Sequence, residues 1–128
     1  MFVEIDLDEL KDIINLFEED NGKEVEAYID KGRLFVNGEE NELMLRLNKH
    51  TNILTIARIQ FKNTRVGNGQ KMLEILKEYG KKNGYKQIMI ESILTEEGYN
   101  FAKKHGFEKK DYFGFMENMI EGDYYLNI

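Results

Sequence analysis

Seven consecutive residues, Thr64-Arg65-Val66-Gly67-Asn68-Gly69-Gln70, have the types and the spacing to bind an anion. Two glycines flank an asparagine, so the backbone can take left-handed dihedrals and a ligand can come close to it. Residues 71–79 read as a helix, because Met72, Leu73, Leu76 and Tyr79 fall on one apolar stripe. The first-turn N–H groups of a helix have no internal partner, and the macrodipole adds a positive partial charge there. A glycine-spaced turn at such a helix start suits a phosphate or a pyrophosphate. The pattern is not the Walker type, since no Gly-Lys-Ser/Thr follows. Nor is it the dinucleotide fingerprint, because Met72 occupies the place of the third glycine. Turns that only reverse the chain use glycines too, so the surrounding order decides.

Residues 53–61, immediately before this turn, are rich in β-branched side chains and read as a mostly buried strand. Further upstream, residues 1–5 could form a short strand. Asp6 and Glu9 resemble a helix-starting box, and Leu7, Leu10, Ile13, Ile14 and Phe17 then recur at helical spacing up to Asn21-Gly22. Residues 23–28 and 33–36 flank Asp30-Lys31-Gly32 as a hairpin. Residues 37–41 turn again, and Leu43, Leu45 and Leu47 alternate as a half-buried strand. Downstream of the central helix, Gly80 and Gly84 break the pattern and residues 87–93 form a buried strand. Thr95 can cap a helix carrying Glu96 and Glu97 in its first turn and ending at Gly106. Two extended runs, 108–116 and 123–128, close the chain around a polar turn at 118–122. The expected fold class is α+β: a mixed, mostly antiparallel sheet flanked by helices, in one domain over residues 1–128.

Composition narrows the function. With 128 residues, 41% of them apolar, the chain has material for a single core. No apolar run approaches a membrane span and no basic-then-apolar leader opens the chain. The absence of cysteine excludes disulfides and thiolate chemistry, and it fits a cytoplasmic protein. His50 and His105 lie far apart, so a metal site has little support. Residues 1–50 carry 14 acidic and 6 basic side chains, a balance of −8, whereas residues 51–128 carry 10 and 12, a balance of +2. A net charge of −6 disfavours general nucleic-acid binding, which relies on Lys and Arg to neutralise phosphates. The split allows a basic half that meets an anionic ligand, and an acidic half that is either a solvated surface or a draw for a cationic one.

The order strand, glycine turn, helix, strand, helix ending in Gly-Phe, then two strands resembles the GNAT superfamily of N-acetyltransferases. Thr64-Arg65-Val66-Gly67-Asn68-Gly69 resembles the family's Arg/Gln-x-x-Gly-x-Gly/Ala loop. Gly98-Tyr99-Asn100-Phe101-Ala102-Lys103-Lys104-His105-Gly106-Phe107 resembles its Ala-x-x-Phe-Tyr-x-x-x-Gly-Phe ending. The match is strongest over residues 53–128. The resemblance implies acetyl-CoA as co-substrate, with the pyrophosphate on Arg65, Val66, Gly67, Asn68, Gly69 and Gln70. It places the pantetheine arm and acetyl end against the backbone of Ala57, Arg58 and Ile59. Parted strands leave backbone groups to which such an amide-bearing arm can add like another strand.

The resemblance further implies direct passage of an acetyl group from the thioester to an amine in a ternary complex. That chemistry needs a neutral amine, a polarised carbonyl and a proton for the departing thiolate. Glu91 interrupts an apolar strand where some family members carry the base. Thr95 falls where many place an asparagine against the cofactor, Thr64 where Arg or Gln is usual, and Phe61 where a proline often sits. Ala102 occupies the place of the frequent tyrosine acid. Tyr99, Tyr112, Tyr124 or Tyr125 could substitute, or the thiolate could leave unaided, given a thiol pKa near 8.5. The expectation is an N-acetyltransferase acting on a primary amine, either a small cationic molecule or a basic peptide, as a monomer or homodimer. A domain that binds acyl-CoA without turnover and a protein-interaction module are the competing readings.

Overall fold

The computed structural model describes residues 5–109 and 121–128. A 3-10 turn, Leu7–Leu10, runs directly into helix α1 (Lys11–Asn21). Asp6 starts the turn by accepting from Asp8 N at 2.9 Å, so Glu9 does not complete the expected box. Leu10, Ile13, Leu16 and Phe17 are buried, whereas Leu7 is exposed. Gly22, at φ 82°, ends the helix as a left-handed cap. Strands β1 (Glu26–Asp30) and β2 (Arg33–Asn37) form the expected hairpin, with Lys31 and Gly32 both at positive φ in its two-residue turn. Then β3 (Glu42–Asn48) and β4 (Ile53–Gln60) complete an antiparallel meander.

Helix α2 (Asn68–Lys82) follows, then β5 (Gln87–Ile93), α3 (Glu96–Lys104), β6 (Glu108–Lys109) and β7 (Gly122–Asn127). The seven strands form one sheet in the order β1-β2-β3-β4-β5-β7-β6, and β4–β5 is the parallel pair within an otherwise antiparallel ladder. This is the mixed, mostly antiparallel α+β architecture expected. Several boundaries differ from expectation, among them that of β1, which runs Glu26–Asp30 and takes in Asp30 rather than spanning 23–28. Helix α2 begins inside the glycine loop, at Asn68, and Gly80 lies within it rather than breaking it. A Cβ at Gly80 would stand 2.6 Å from Ile128 Cδ1, so that glycine admits the end of the chain. The expected strand over 1–5, most of the run 108–116 and the turn at 118–122 lie outside the described residues.

Strand alternation puts Leu34, Val36, Leu43, Leu45, Leu54, Ile56, Ile88 and Tyr124 on one face of the sheet, in one core with Phe17, Met72, Leu76, Ala102 and Phe107. Each fully buried large side chain contributes about 1.5–3 kcal/mol relative to exposure. The opposite face carries Tyr28, Phe35, Met44, Arg46, Met89 and Tyr125, half-buried or exposed. No helix among the described residues is long and apolar enough to cross a membrane.

Candidate functional site

The parallel pair β4–β5 holds together from Ile53↔Gln87 to Ile56↔Ile90 and then parts. Each strand instead follows its other neighbour: β4 stays paired with β3 as far as Gln60, and β5 with β7 as far as Ile93. Two irregularities bend them away from each other. Ala57 is an extra residue in β4, opposite the step between Met44 and Leu45. On β5 the register shifts between Ile90 and Ile93, with Ser92 at φ 56° and its N–H bonded to Asp123 Oδ1 at 2.8 Å. Bulges sharpen local twist in this way and end pairing. The resulting cleft has one wall of β4 backbone, residues 57–60, that no β5 residue pairs with. Ala57, Arg58 and Ile59 therefore stand on that wall. Ile59, Val66 and Leu94 are exposed apolar side chains at the parted strand ends and on the adjoining loop.

The loop from β4 to α2 is an arch held at both feet by one carboxylate, that of Asp20 at the end of α1. Asp20 is 6% exposed, and it accepts five hydrogen bonds from uncharged donors. Its Oδ2 takes Lys62 N at 2.7 Å and Asn41 Nδ2 at 2.9 Å. Its Oδ1 takes Asn63 N at 2.9 Å, Asn63 Nδ2 at 3.0 Å and Asn68 Nδ2 at 3.1 Å. Burial pushes this carboxyl up, but the bonds from Asn41, Asn63 and Lys62 outweigh it and hold the pKa below the ordinary aspartate value. Phe61 stacks on Phe17 at 4.9 Å and fixes the same foot. Between the feet, Thr64, Arg65 and Val66 are exposed, and Arg65 and Gly67 take φ of 62° and 85°.

Beyond that arch, α2 presents an uncapped first turn. No side chain caps it, no acidic residue occupies it, and Lys81 and Lys82 lie at its far end. Lys71 N reaches Gly67 O at 3.1 Å, but the N–H groups of Asn68, Gly69 and Gln70 have no acceptor among the described residues. Space around Gly67 is open, with nothing within 4 Å of where a Cβ would sit. Helix α3 contrasts with this: Thr95 Oγ1 accepts from Gly98 N at 3.0 Å, and Glu96 and Glu97 follow. Two loop residues are tied into the rest of the fold. Asn68 turns its side chain inward to Asp20 and to Asn63 O. A Cβ on Gly69 would stand 2.9 Å from Phe101 Cε2, so a side chain here would have to displace that ring of α3. The side chain of Gln70 reaches Glu74 Oε1 at 3.4 Å.

Glu91 lies on the sheet face opposite the core, past the point where β4 and β5 part. Both its oxygens accept from Arg46 Nη2 at 2.5 Å. Tyr99 lies on the other face, edge-on to Tyr124 with ring centroids 5.9 Å apart. The structure thus does not bring Tyr99 and Glu91 together. Tyr124 is 1% exposed, and burial together with Tyr99 raises its pKa. Tyr125, the cross-strand partner of Met89, shares the Glu91 face; Tyr112 lies outside the described residues. Sequence reasoning missed Asp20 and Arg46. Asp20 sits in the acidic run Glu18-Glu19-Asp20, which reads as solvated helix surface, and Arg46 occupies the polar side of an alternating strand.

No family model and no curated protein matches the sequence. Solved structures match the fold. A protein described as a streptothricin acetyltransferase from Bacillus anthracis str. Ames, in complex with acetyl coenzyme A, aligns with TM-score 0.58 and 21% identity over 79% of this chain and 67% of that one. The IAA acetyltransferase from Bacillus cereus aligns with TM-score 0.57 and 18% identity, over 77% of this chain and 79% of that one. The PaiA N-acetyltransferase from Thermoplasma acidophilum, in complex with coenzyme A, aligns with TM-score 0.56 and 15% identity, over 92% and 70%. By these alignments, the chain has the fold of the GNAT N-acetyltransferases.

Proposed function

We propose that this protein is an N-acetyltransferase that uses acetyl-CoA and a primary amine, transferring directly in a ternary complex. The observation that carries the reading is the adjacency of two sets of unpaired backbone groups. The N–H groups of Asn68, Gly69 and Gln70 suit a diphosphate. The parted wall at residues 57–60 suits an amide-bearing arm that adds like a strand. Arg65, Val66, Gly67, Asn68, Gly69 and Gln70 would hold the pyrophosphate, with Thr95 at the neighbouring helix start, and Ala57, Arg58 and Ile59 would line the arm. Neighbours of the same fold were solved with coenzyme A or acetyl-CoA, which supports this choice of ligand.

When bound, the thioester supplies an activated acyl carbon and a thiol leaving group. The chain's part is to orient the ligands, polarise the carbonyl and move a proton. A backbone N–H near Ile59 would face the carbonyl oxygen. Glu91 would take the proton of the amine as the C–N bond forms and the C–S bond breaks. Sulfur then takes up a proton from Tyr125 or from water, since a thiol pKa near 8.5 allows departure as thiolate. The second reading, a domain that binds acyl-CoA without turnover, draws on Arg46 occupying both oxygens of Glu91 and on Ala102, fully buried where the resemblance expects tyrosine.

Calorimetry with coenzyme A, followed by thiol release with acetyl-CoA and a mixed amine panel, separates these readings. Saturable binding with thiol release above spontaneous hydrolysis supports the transferase. Binding without such release supports the module. Absence of binding removes both, and leaves an interaction protein that takes no cofactor. Coenzyme A at about 100 times its Kd should stabilise the fold by roughly 2.7 kcal/mol.

A further inference from the structure

A groove of about 880 Å³ opens on the sheet face that carries Glu91. Its floor is a cross-strand row: Arg33 opposes Arg46, Arg46 opposes Thr55, Thr55 opposes Met89, and Met89 opposes Tyr125. Its far rim is formed by the turns after β1 and β3. Of the six basic side chains in residues 1–50, four line this groove: Lys31, Arg33, Arg46 and Lys49. None of the 14 acidic ones of that half does, nor any other Asp or Glu among the described lining residues.

The placement of the two arginines is the telling feature. Like charges directly opposite on adjacent strands destabilise a sheet, yet Arg33 and Arg46 are register partners. Glu91 answers the charge of Arg46. Arg33 has the ring of Phe35 at 5.6 Å, and neither it nor Lys31 makes an ion pair among the described residues. Lys49 is turned aside, its ammonium on Asn83 O and 4.2 Å from the Tyr85 ring. Guanidinium groups present planar forks that match a carboxylate in two-point contact. A bound carboxylate would relieve the arginine pair.

We propose that the acceptor amine carries a carboxylate, held between Arg33 and Arg46 while the amine reaches Glu91. The proposal rests on the transferase reading and adds the substrate class. Glu91 lies two residues beyond Met89 along β5 and two strands across from Arg46, so their backbones stand roughly 12 Å apart at the usual strand rise and spacing, and their side chains meet in between. An ω-amino acid, with a carboxylate at one end and an amine at the other, suits a site in which the arginines and Glu91 lie side by side. A carboxylate arriving at Arg46 competes with Glu91 for its guanidinium, so the correct acceptor frees the base that it needs. The expectation of a cationic acceptor came from the acidic first half, but none of that half's acids among the described residues lines this groove and four of its six bases do.

Three amines of matched length test the proposal by amide NMR titration, without coenzyme A: 5-aminopentanoate, pentylamine and 1,5-diaminopentane. The carboxylate should bind at least about tenfold more tightly than either other probe, roughly 1.4 kcal/mol. Its shifts should centre on Gly32, Arg33 and Arg46, and Arg33→Gln should abolish the preference. If Arg33→Gln does not fold, Arg46→Gln on the neighbouring strand takes its place. Equal or tighter binding of the neutral or dicationic probe overturns the proposal, as do shifts that fall elsewhere or a preference that survives the substitution. These titrations need neither cofactor nor turnover, so their failure leaves the transferase reading standing. A chain that never binds coenzyme A would fail that reading, and with it the acceptor role, while the carboxylate preference of the groove would still register in the titration.

Discussion

Replacing Asp20 by Asn tests whether the glycine loop is positioned from α1. The substitution preserves shape but turns one oxygen into a donor. Whichever way the amide sits, two or three of the five bonds face a donor against a donor. The less disruptive orientation loses Lys62 N and Asn41 Nδ2, and Asn41 Nδ2 keeps its 3.0 Å bond to Phe17 O. A hydrogen bond to a charged group contributes about 1.5–3 kcal/mol net. Partial access of water to the Lys62 amide trims that, so the expected loss is roughly 2–4 kcal/mol. Domains of this size have about 5–15 kcal/mol in hand and would stay folded, with Tm lower by roughly 8–16 °C. Coenzyme A should bind about tenfold more weakly by calorimetry, roughly 1.4 kcal/mol, because Lys62 N no longer ties the first foot of the arch to α1. Glu19→Gln, a change at an exposed neighbour, should alter neither quantity. The sign of the pH effect follows from the lowered folded-state pKa of Asp20. Its contribution is present above the unfolded value of about 3.9 and is lost as pH falls through the lower folded value. Acid denaturation of the wild-type chain should therefore show a slope that Asp20→Asn lacks. Loss of stability with unchanged coenzyme A affinity would refute the positioning role, and no loss of stability would refute the hub itself.

The two loop glycines should separate. Gly67→Asp, in open space at φ 85°, should remove coenzyme A affinity by placing a carboxylate at the uncapped helix start, at a stability cost of about 1–2 kcal/mol. Gly69→Ala should act through packing against Phe101, and Phe101→Leu should restore part of that stability in a double-mutant cycle by denaturant titration. Glu91→Gln should lower turnover about 10²–10⁴-fold, with calorimetry showing coenzyme A affinity retained; unchanged turnover places the base elsewhere. Tyr85→Phe should be neutral or stabilising by about 1 kcal/mol in denaturant titration, since the buried Tyr85 hydroxyl has no hydrogen-bond partner among the described residues. In the wild-type chain, burial and Tyr79 push that phenol up to about 12, so spectrophotometric titration should show Tyr85 ionising late.

By itself the sequence determined what depends on near neighbours along the chain. The stripe of Met72, Leu73 and Leu76, the alternation of Leu43, Leu45 and Leu47, the Thr95 cap and the positive-φ turn at Lys31-Gly32 all emerge from propensity and period. The glycine turn into the uncapped start of α2 was legible for the same reason, because glycine spacing and a helix start are local facts. Only the tertiary structure decided which groups meet across the sheet. Asp20 finds partners 21 to 48 positions away, and Glu91 finds Arg46 at a separation of 45. Gly69 is fixed by Phe101 and Gly80 by Ile128. A one-residue change of register would carry Glu91 to the core face. An aspartate in an acidic helix end looks the same on paper whether water or five donors surround it. Side-chain chemistry is written residue by residue, whereas burial, partner and face arise from crossover, bulge and register, which no short stretch of this chain encodes alone.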